Sequence, residues 1–271
     1  MASLHRCCLM LVAALGLGAC ASVPTQRPGA FAPEHALTRV ADERHRQIEQ
    51  YVDRRALRGS PRIALPRVRL AEDAHGDRIS AQQAALVANH AARSACLGLA
   101  PHARLQPDAA AGAIDTQLVV TAIEPTSGAA AGASSLVDYF VPGPARLPVG
   151  LGGLALEAEL RDPQAGQLAL VKWARGANAV TDNAKLSPIG DAWQLAGRFG
   201  KEFARLLLDN DPARPGLQRK RLADAVVKAN RALCAERYGS VNLAGRGASI
   251  FLPLAPEAID PGQPAINPET R

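Results

Sequence analysis

The chain has 271 residues, a formal net charge of +6 and five cysteines, and only 4% of its residues are aromatic. This length suits one domain with extensions or two small domains. The arginines that give the chain its basic character are not interleaved with the stacking aromatic residues that single-stranded nucleic acid requires of its binders. We therefore do not expect nucleic acid as a partner.

The first segment predicts export. A positively charged head, "MASLHR", precedes an apolar run from Cys7 to about Leu17. The run is shorter than the roughly 20 residues of a transmembrane helix and is typical of a secretory signal peptide. Its end, "LGAC", resembles the lipobox of bacterial lipoproteins. The resemblance implies cleavage after residues 1–19 and acylation of Cys20; the alternative is an ordinary signal peptide with an A-x-A cleavage site nearby.

Acylation would make a membrane the first partner of the chain. Durable anchoring needs more than one acyl chain, and a diacyl or triacyl Cys20 meets that need. The next residue is Ala21, not the aspartate that in lipoproteins implies retention at the inner membrane. The resemblance therefore implies an outer-membrane location with the mature chain facing the periplasm.

Two cysteines remain after the signal peptide and the lipid attachment site are set aside, Cys96 and Cys234. Two thiols in an oxidising periplasm favour a disulfide. The sequence does not show whether they lie within bonding distance. The alternative is two separately buried cysteines that pack as small hydrophobic residues.

Residues 20–36 contain prolines and small residues without periodicity, which predicts a flexible tether. From 37 to 57, apolar residues recur at a spacing that fits a helix of moderate amphipathicity. Between Arg39 and Arg69, nine arginines accompany four acidic residues. These arginines could bind an acidic partner or anionic lipid headgroups, or they could form a solvated helix face. The candidate anionic-partner face consists of Arg44, Arg54, Arg55 and Arg58.

The next elements alternate between strand and helix. "RIALPRVRL" (62–70) predicts a short strand at a sheet edge, because Pro66 has no N–H to donate. Ser80 and Gln83 form a capping box that opens an alanine-rich helix ending near Gly98. "DTQLVVTAIEP" (115–125) predicts a second strand. The following stretch, Thr126–Pro148, is too long for a tight turn and predicts a loop.

An amphipathic hairpin follows the loop. In "LALEAELRD", Leu154, Leu156 and Leu160 alternate with acidic residues, which predicts one buried and one wet sheet face. "DPQAG" (162–166) predicts the turn into a partner strand. A helix from Asp191, with Gln194 completing a second capping box, and another over 217–238 complete the regular elements.

This order predicts an α+β fold. It consists of a small mixed or antiparallel sheet (β-α-β-β-β-α) with helices on one face, an extra C-terminal helix and flexible termini. The predicted domains are a signal peptide (1–19), a tether (20–36), the α+β domain (37–209), an appended helix with a short extended segment (210–252) and a Pro-rich disordered tail (253–271).

A search for chemistry yields no catalytic, cofactor-binding or metal site. The histidines form none of the spacings typical of metal ligands, and no nucleophile elbow is present. "GLGG" (150–153) leads into a strand instead of a helix and predicts a backbone bend or bulge. "SPIGD" (187–191) could hold an anion at a helix N-terminus or cap that helix. Trp173 and Trp193 could anchor a partner or pack internally.

The block "PVGLGGLALEAELRDPQAGQLALVKWARG", together with "KLSPIGDAW", resembles an uncharacterised family of Gram-negative lipoproteins known as a domain of unknown function. The shared features are the lipobox, a Gly-led strand, an acidic hairpin and a G-D-A start to the last helix. The resemblance spans roughly 34–209 and brings no catalytic residues with it.

Three functions remain open at this stage. The first is a non-enzymatic, lipid-anchored envelope module that contacts an unidentified envelope protein. The alternative is a periplasmic hydrolase or small-molecule-binding protein with a site built from loops. The third is a structural envelope protein that grips anionic surfaces through its arginines.

Overall fold

A computed structural model describes residues 23–24, 29–109, 112–127, 151–178, 187–208, 221–241, 254–260 and 262. The strands in these ranges are β1 (Thr38–Glu43), β2 (Arg46–Val52), β3 (Arg62–Ala64), β4 (Arg67–Leu70), β5 (Arg104–Gln106), β6 (Asp115–Glu124), β7 (Gly153–Asp162) and β8 (Gly166–Gly176). The helices are α1 (Ala81–Leu99), α2 (Gly190–Leu208), α3 (Asp224–Tyr238) and the short α4 (Pro256–Ile259).

Six of the strands form one sheet in the order β1-β2-β8-β7-β6-β4. Its strand pairs are antiparallel except for β4 with β6, which is parallel. Strands β3 and β5 form a separate parallel pair. The predicted α+β class with a largely antiparallel sheet is confirmed. The single strand predicted over 62–70 is wrong, because the stretch divides at Leu65 and Pro66 into β3 and β4, which belong to different sheets. Of these two strands, only β4 lies at the edge of the six-stranded sheet, next to a proline that has no N–H to donate.

The prediction of a helix over 37–57 is wrong, because this segment forms the hairpin of β1 and β2. Its apolar positions fit a helical spacing, but the polar run from Asp42 to Gln47 separates them and contains the turn. Strand β2 pairs along its whole length with β8, from Arg46 opposite Arg175 to Val52 opposite Ala169. The backbone N–H and C=O groups of this segment therefore form their hydrogen bonds with a neighbouring strand instead of within a helix.

The main core lies between the sheet and helices α1 and α2. Leu154, Leu156 and Leu160 of β7 point into it and are fully buried or nearly so, as is Phe199 of α2. The two helices approach closely: a Cβ built on Gly200 would lie 2.0 Å from the Ser94 carbonyl oxygen. Only a glycine permits this approach of the two backbones.

The predicted caps of α1 and α2 differ in outcome. At α1 the capping box is confirmed: Ser80 Oγ accepts from the Gln83 N–H at 3.2 Å, and Gln83 Oε1 accepts from the Ser80 N–H at 3.0 Å. The capping box predicted at Asp191 is wrong, because α2 begins at Gly190. The Asp191 carboxylate accepts instead from the Gly152 N–H at 2.7 Å.

Two segments predicted to be flexible carry packed residues. Residues 29–36, assigned to the tether, hydrogen-bond to the sheet. Within the predicted disordered tail, residues 254–260 include the helix α4, and Asp260 is buried against α1. In both cases a polar partner on the folded domain orders a segment that has no periodic pattern of its own.

Candidate functional site

The structure contains the candidate disulfide of the sequence analysis. Cys96 of α1 and Cys234 of α3 form a disulfide with a Cα–Cα distance of 5.9 Å. Both cysteines are fully buried. The bridge attaches α3 to the helix layer, and Cys20 lies outside the described residues.

The candidate anionic-partner face does not exist as a single surface. Arg44 lies in the turn between β1 and β2, whereas Arg54, Arg55 and Arg58 follow the other end of β2. The seven residues of β2 separate the two groups by about 20 Å. A helix would have placed these arginines on one face. Because the segment is a hairpin instead, the candidate anionic-partner face is divided between its two ends.

The two tryptophans pack internally. Trp173 is fully buried, and its indole N–H donates to Glu202 Oε2 at 2.7 Å. Trp193 is half-buried, stacks on the His90 ring with centroids 4.2 Å apart, and donates to Asp260 Oδ2 at 3.0 Å. Neither ring is free to act as an exposed anchor for a partner.

The sheet face opposite the helices is covered by the chain's own N-terminal residues. We call the described residues 23–24 and 29–36 the strap. Val23 packs on Ala122, Ala155 and Ala174 at one end of the sheet. The strap reaches the middle of β7 at Phe31, and near the other end His35 stacks on Tyr51 with ring centroids 4.0 Å apart.

Charged side chains of β7 and β8 lie beneath the strap. Glu157 is only 5% exposed; it accepts from the Phe31 N–H at 3.1 Å and lies 3.6 Å from Lys172 Nζ. The alternation of β7 predicted that this face would be wet. That prediction is wrong, because the strap excludes water from the acidic positions.

The C-terminal part of the strap is held by a hydrogen-bond network around Gln167. The Gln167 side chain accepts from the Glu34 N–H at 3.0 Å and donates to the Ala32 carbonyl and to Glu159 Oε1. The Glu34 carboxylate accepts in turn from the Gln167 N–H at 3.1 Å. These reciprocal bonds fix both the position and the register of the strap on β8.

Arg161 links the strap to the sheet by charge. Its guanidinium lies 2.6 Å from Glu34 Oε1 and 3.0 Å from Glu159 Oε1. The hydrogen bond from Arg161, followed by that from the Gln167 N–H, lowers the pKa of Glu34. The two carboxylates raise the pKa of Arg161. Such an arrangement holds a polypeptide segment in place.

A second polar cluster attaches α4 to α1. The Arg93 guanidinium forms a buried ion pair with Asp260 and contacts His90 Nδ1 at 2.6 Å. Burial would raise the pKa of Asp260, but hydrogen bonds from Arg93 and Trp193 and the charge of Arg93 hold it below its ordinary value. The carboxylate is thus kept ionised, which suits a structural clasp and not a proton-transfer group.

A third cluster joins α2 to the β1–β2 hairpin through Glu202. Its carboxylate lies 2.5 Å from Arg46 Nη2 and accepts from the Trp173 indole. Burial opposes ionisation, but the hydrogen bonds from Trp173 and Arg46 keep the pKa of Glu202 lowered. Sequence reasoning missed this cluster and the Asp260 clasp, because their members lie far apart in the chain and follow no spacing rule.

A shallow depression of about 420 Å³ lies near the β7–β8 turn, with Arg62 and Asp162 among its lining residues. Asp162 accepts from the N–H groups of Gln164 and Ala165, as the predicted turn requires, and these bonds lower its pKa. Its carboxylate is therefore engaged within the turn, and the depression offers little chemistry of its own.

The predicted loop site falls on Thr126–Pro148, of which residues 128–148 lie outside the described residues. In the part of the chain that is described, no group of three or more histidine, cysteine or acidic side chains could hold a metal ion. Among the same residues, no helix is both long and apolar enough to cross a bilayer.

Two motifs of the sequence, "GLGG" (150–153) and "SPIGD" (187–191), meet at the start of α2. A Cβ on Gly152 would lie 2.7 Å from the Glu124 carbonyl oxygen and 2.9 Å from Thr126 Oγ1, so this position requires glycine. The Asp191 N–H donates to Thr126 Oγ1 at 3.1 Å. The Gly-led strand and the G-D-A helix start are thus hydrogen-bonded to each other, and the Asp191 N–H at the helix start is already bonded to the Thr126 hydroxyl.

Residues 30–203 match the family described as "Protein of unknown function (DUF3313)". The chain belongs to this family. No curated protein sequence matches the chain.

Solved structures of PelC from Paraburkholderia phytofirmans are similar to part of the chain. One PelC dodecamer matches with 11% sequence identity and a TM-score of 0.36, covering 60% of this chain and 97% of its own. A second PelC dodecamer from the same organism matches with 11% identity and a TM-score of 0.35, covering 59% and 98%. Because both TM-scores are low, no conclusion about this chain rests on the likeness.

Proposed function

We propose that this DUF3313 protein is an exported lipoprotein, anchored through Cys20 to the outer membrane, whose domain faces the periplasm as a non-enzymatic accessory module. The observation that carries the proposal is the buried disulfide between Cys96 and Cys234. Disulfides form and persist in oxidising compartments and are rare in the bacterial cytosol. The bridge therefore supports export to an oxidising compartment such as the periplasm, as the lipobox resemblance of "LGAC" does.

The ion pairs of Asp260 and Glu202 hold elements of the fold together and offer no poised general acid or base. Asp260 and Glu202 are paired with arginines, and their pKa values are lowered. A general acid or base working near neutral pH needs a pKa close to that pH. The charged residues beneath the strap likewise hold a segment of the same chain. The expected partner is an envelope protein that contacts the folded surface.

Metabolic labelling tests the anchor. The full chain and its Cys20→Ser variant are expressed in a Gram-negative host that is fed an alkyne-tagged fatty acid. We expect the tag on the unchanged protein only, and we expect that protein to float with outer-membrane vesicles. An unlabelled protein that is released from the periplasm without detergent would contradict the proposal.

Crosslinking in the intact envelope tests the accessory role. A photoreactive group placed at exposed positions should give a discrete protein adduct with the anchored chain, and the adduct should weaken when an unlabelled copy is overproduced. As a control, the same group is placed at Leu86, a partly buried position of α1 that packs against the core. Adducts of equal yield at all positions would argue against a defined partner surface.

A further inference from the structure

The strap enters the fold at one end of the sheet. The Val23 N–H donates to the Arg44 carbonyl oxygen at 3.0 Å, which ties the first described residue to the β1–β2 turn. The Pro24 ring packs so closely on Gly153 that a Cβ there would lie 2.9 Å from it. The entry point is therefore fixed against both the hairpin turn and the start of β7.

This entry point leaves little chain between the domain and Cys20. Three residue steps join Cys20 to Val23, and a fully extended chain spans at most about 10 Å over three steps. A free tether over residues 20–36 would instead reach more than about 50 Å. Because residues 29–36 are bound along the sheet, most of that length does not separate the domain from its anchor.

The two ends of the sheet therefore lie at different distances from the attachment site. The near end carries Arg44 and His45 of the hairpin turn and the Arg175 end of β8. The far end carries the β7–β8 turn, 162–166. The ten residues of β7 place this turn about 30 Å away along the strand direction.

Resting on the proposed acylation of Cys20, we infer that the near end of the sheet faces the lipid surface and that the strap fixes this orientation. The occupant of this surface is the headgroup layer of the bilayer that holds the acyl chains. The exposed side chain of Arg44 is complementary to phosphate groups there. In this orientation Arg44 lies on the membrane side of the domain, and Arg55 and Arg58 lie on the side away from the membrane.

The orientation also decides which surface a protein partner can reach. The depression lined by Arg62 and Asp162 adjoins the far turn. A partner in the periplasm would meet this end and the outer side of the helices. The near end is accessible only to lipid and to molecules at the lipid surface.

Fluorescence quenching in vesicles tests this orientation. Glu43→Cys and Gln164→Cys place a label at exposed positions of the two ends and leave Arg44 in place, while the native disulfide remains protected by burial. The acylated full chain is reconstituted into vesicles of phosphatidylethanolamine and phosphatidylglycerol that carry a headgroup quencher. Because the ends differ by about 30 Å, we expect quenching to be about threefold greater at position 43 than at position 164.

The possible outcomes distinguish a failure of the proposed orientation from a failure of the proposed acylation. Protein that fails to float with the vesicles contradicts the acylation itself. Protein that floats but is quenched equally at both positions overturns the orientation and leaves the anchor in place. Circular dichroism and mass analysis of the intact disulfide confirm that both labelled variants are folded.

A lengthened linker provides the matched control. Twenty Gly and Ser residues inserted between Ser22 and Val23 leave the strap bound but add a flexible spacer of about 25 Å. We expect the difference between the two labels to disappear in this variant. The same twenty residues appended after Arg271 should leave the difference unchanged. A difference that persists with the lengthened linker would show that the strap does not set the orientation.

Discussion

The two faces of the central sheet are stabilised in different ways, although they alternate along the same strands. On one face, Leu154, Leu156 and Leu160 of β7 are buried against α1 and α2. On the other, Glu157 and Glu159 of the same strand are buried beneath the strap. One face depends on apolar area, and the other depends on hydrogen bonds and ion pairs with defined partners.

This difference shows that a charged strand face need not be a wet one. Apolar packing is non-directional, and its contribution grows with the apolar area removed from water. Buried charges contribute little net stability, because desolvation offsets their attraction, but they penalise a partner in the wrong place. The helix face therefore supplies most of the folding free energy, and the strap face specifies where residues 29–36 bind.

The largest expected effect is on the helix face. Phe199 is fully buried, with its ring edge-to-face to Trp173 and stacked on Phe203. Replacing Phe199 with Ala should lower the free energy of unfolding by about 4 kcal/mol through lost burial and an internal cavity. Urea denaturation followed by circular dichroism measures the change. A loss as small as that of a strap variant would remove the proposed contrast between the faces.

The disulfide tests how far the helix layer depends on a covalent link. Helix α3 buries only Val227, Asn230, Cys234 and Tyr238, so its apolar contact with α1 is small. The double variant Cys96→Ser with Cys234→Ser should lose about 3 kcal/mol of unfolding free energy. The expected local result is faster hydrogen exchange in α3 than in α2. Uniform acceleration across both helices would instead place α3 in the main cooperative unit.

On the strap face, Gln167→Ala removes three side-chain hydrogen bonds at once. At about 1 kcal/mol each, less relaxation, the expected loss is about 2 kcal/mol. Hydrogen exchange should quicken at the Phe31 and Glu34 amides while the core is unaffected. Gln164→Ala, at the exposed turn of the same hairpin, is the control and should change stability by less than about 0.5 kcal/mol.

The smallest expected effect is on the pH dependence of the unfolding free energy. It tests whether the buried ion pair of Arg93 and Asp260, on the helix side of the sheet, stabilises the fold as the charges under the strap do. The pKa of Asp260 is lowered in the folded state. Its contribution to stability is therefore present above the unfolded pKa of about 4 and is lost as pH falls through the lower folded value. Unfolding free energies from pH 7 to pH 2 should fall less steeply in Asp260→Asn. An identical slope would assign the acid sensitivity to other carboxylates, Glu202 first.

Local patterns predicted the elements that follow local rules. The strand β7, the turn at 162–166 and the capping box of Ser80 and Gln83 each involve residues close in the chain, and each is confirmed, whereas the wet face that the alternation of β7 predicts is not. The hairpin at 38–52 was missed because its apolar residues fit either period. Only pairing with β8 decided between helix and strand there.

The candidate site was less accessible to sequence reasoning than the fold. The contacts of the strap with β7 and β8 join residues far apart in the chain, such as Glu34 and Arg161, which are 127 positions apart. Asp260 was missed for the same reason, since a single acidic residue in a Pro-rich tail carries no spacing signal. The one available clue is the row of charges on β7, which by itself favours a face exposed to water.

The sequence by itself determined which residues alternate, cap and turn, because those properties depend on the local geometry of strands and helices. The tertiary structure alone decided that residues 29–36 bind the acidic face of the sheet, and that Cys96 and Cys234 meet. Both depend on distances between segments far apart in the chain. Burial and pairing of charges exist only once those segments are brought together.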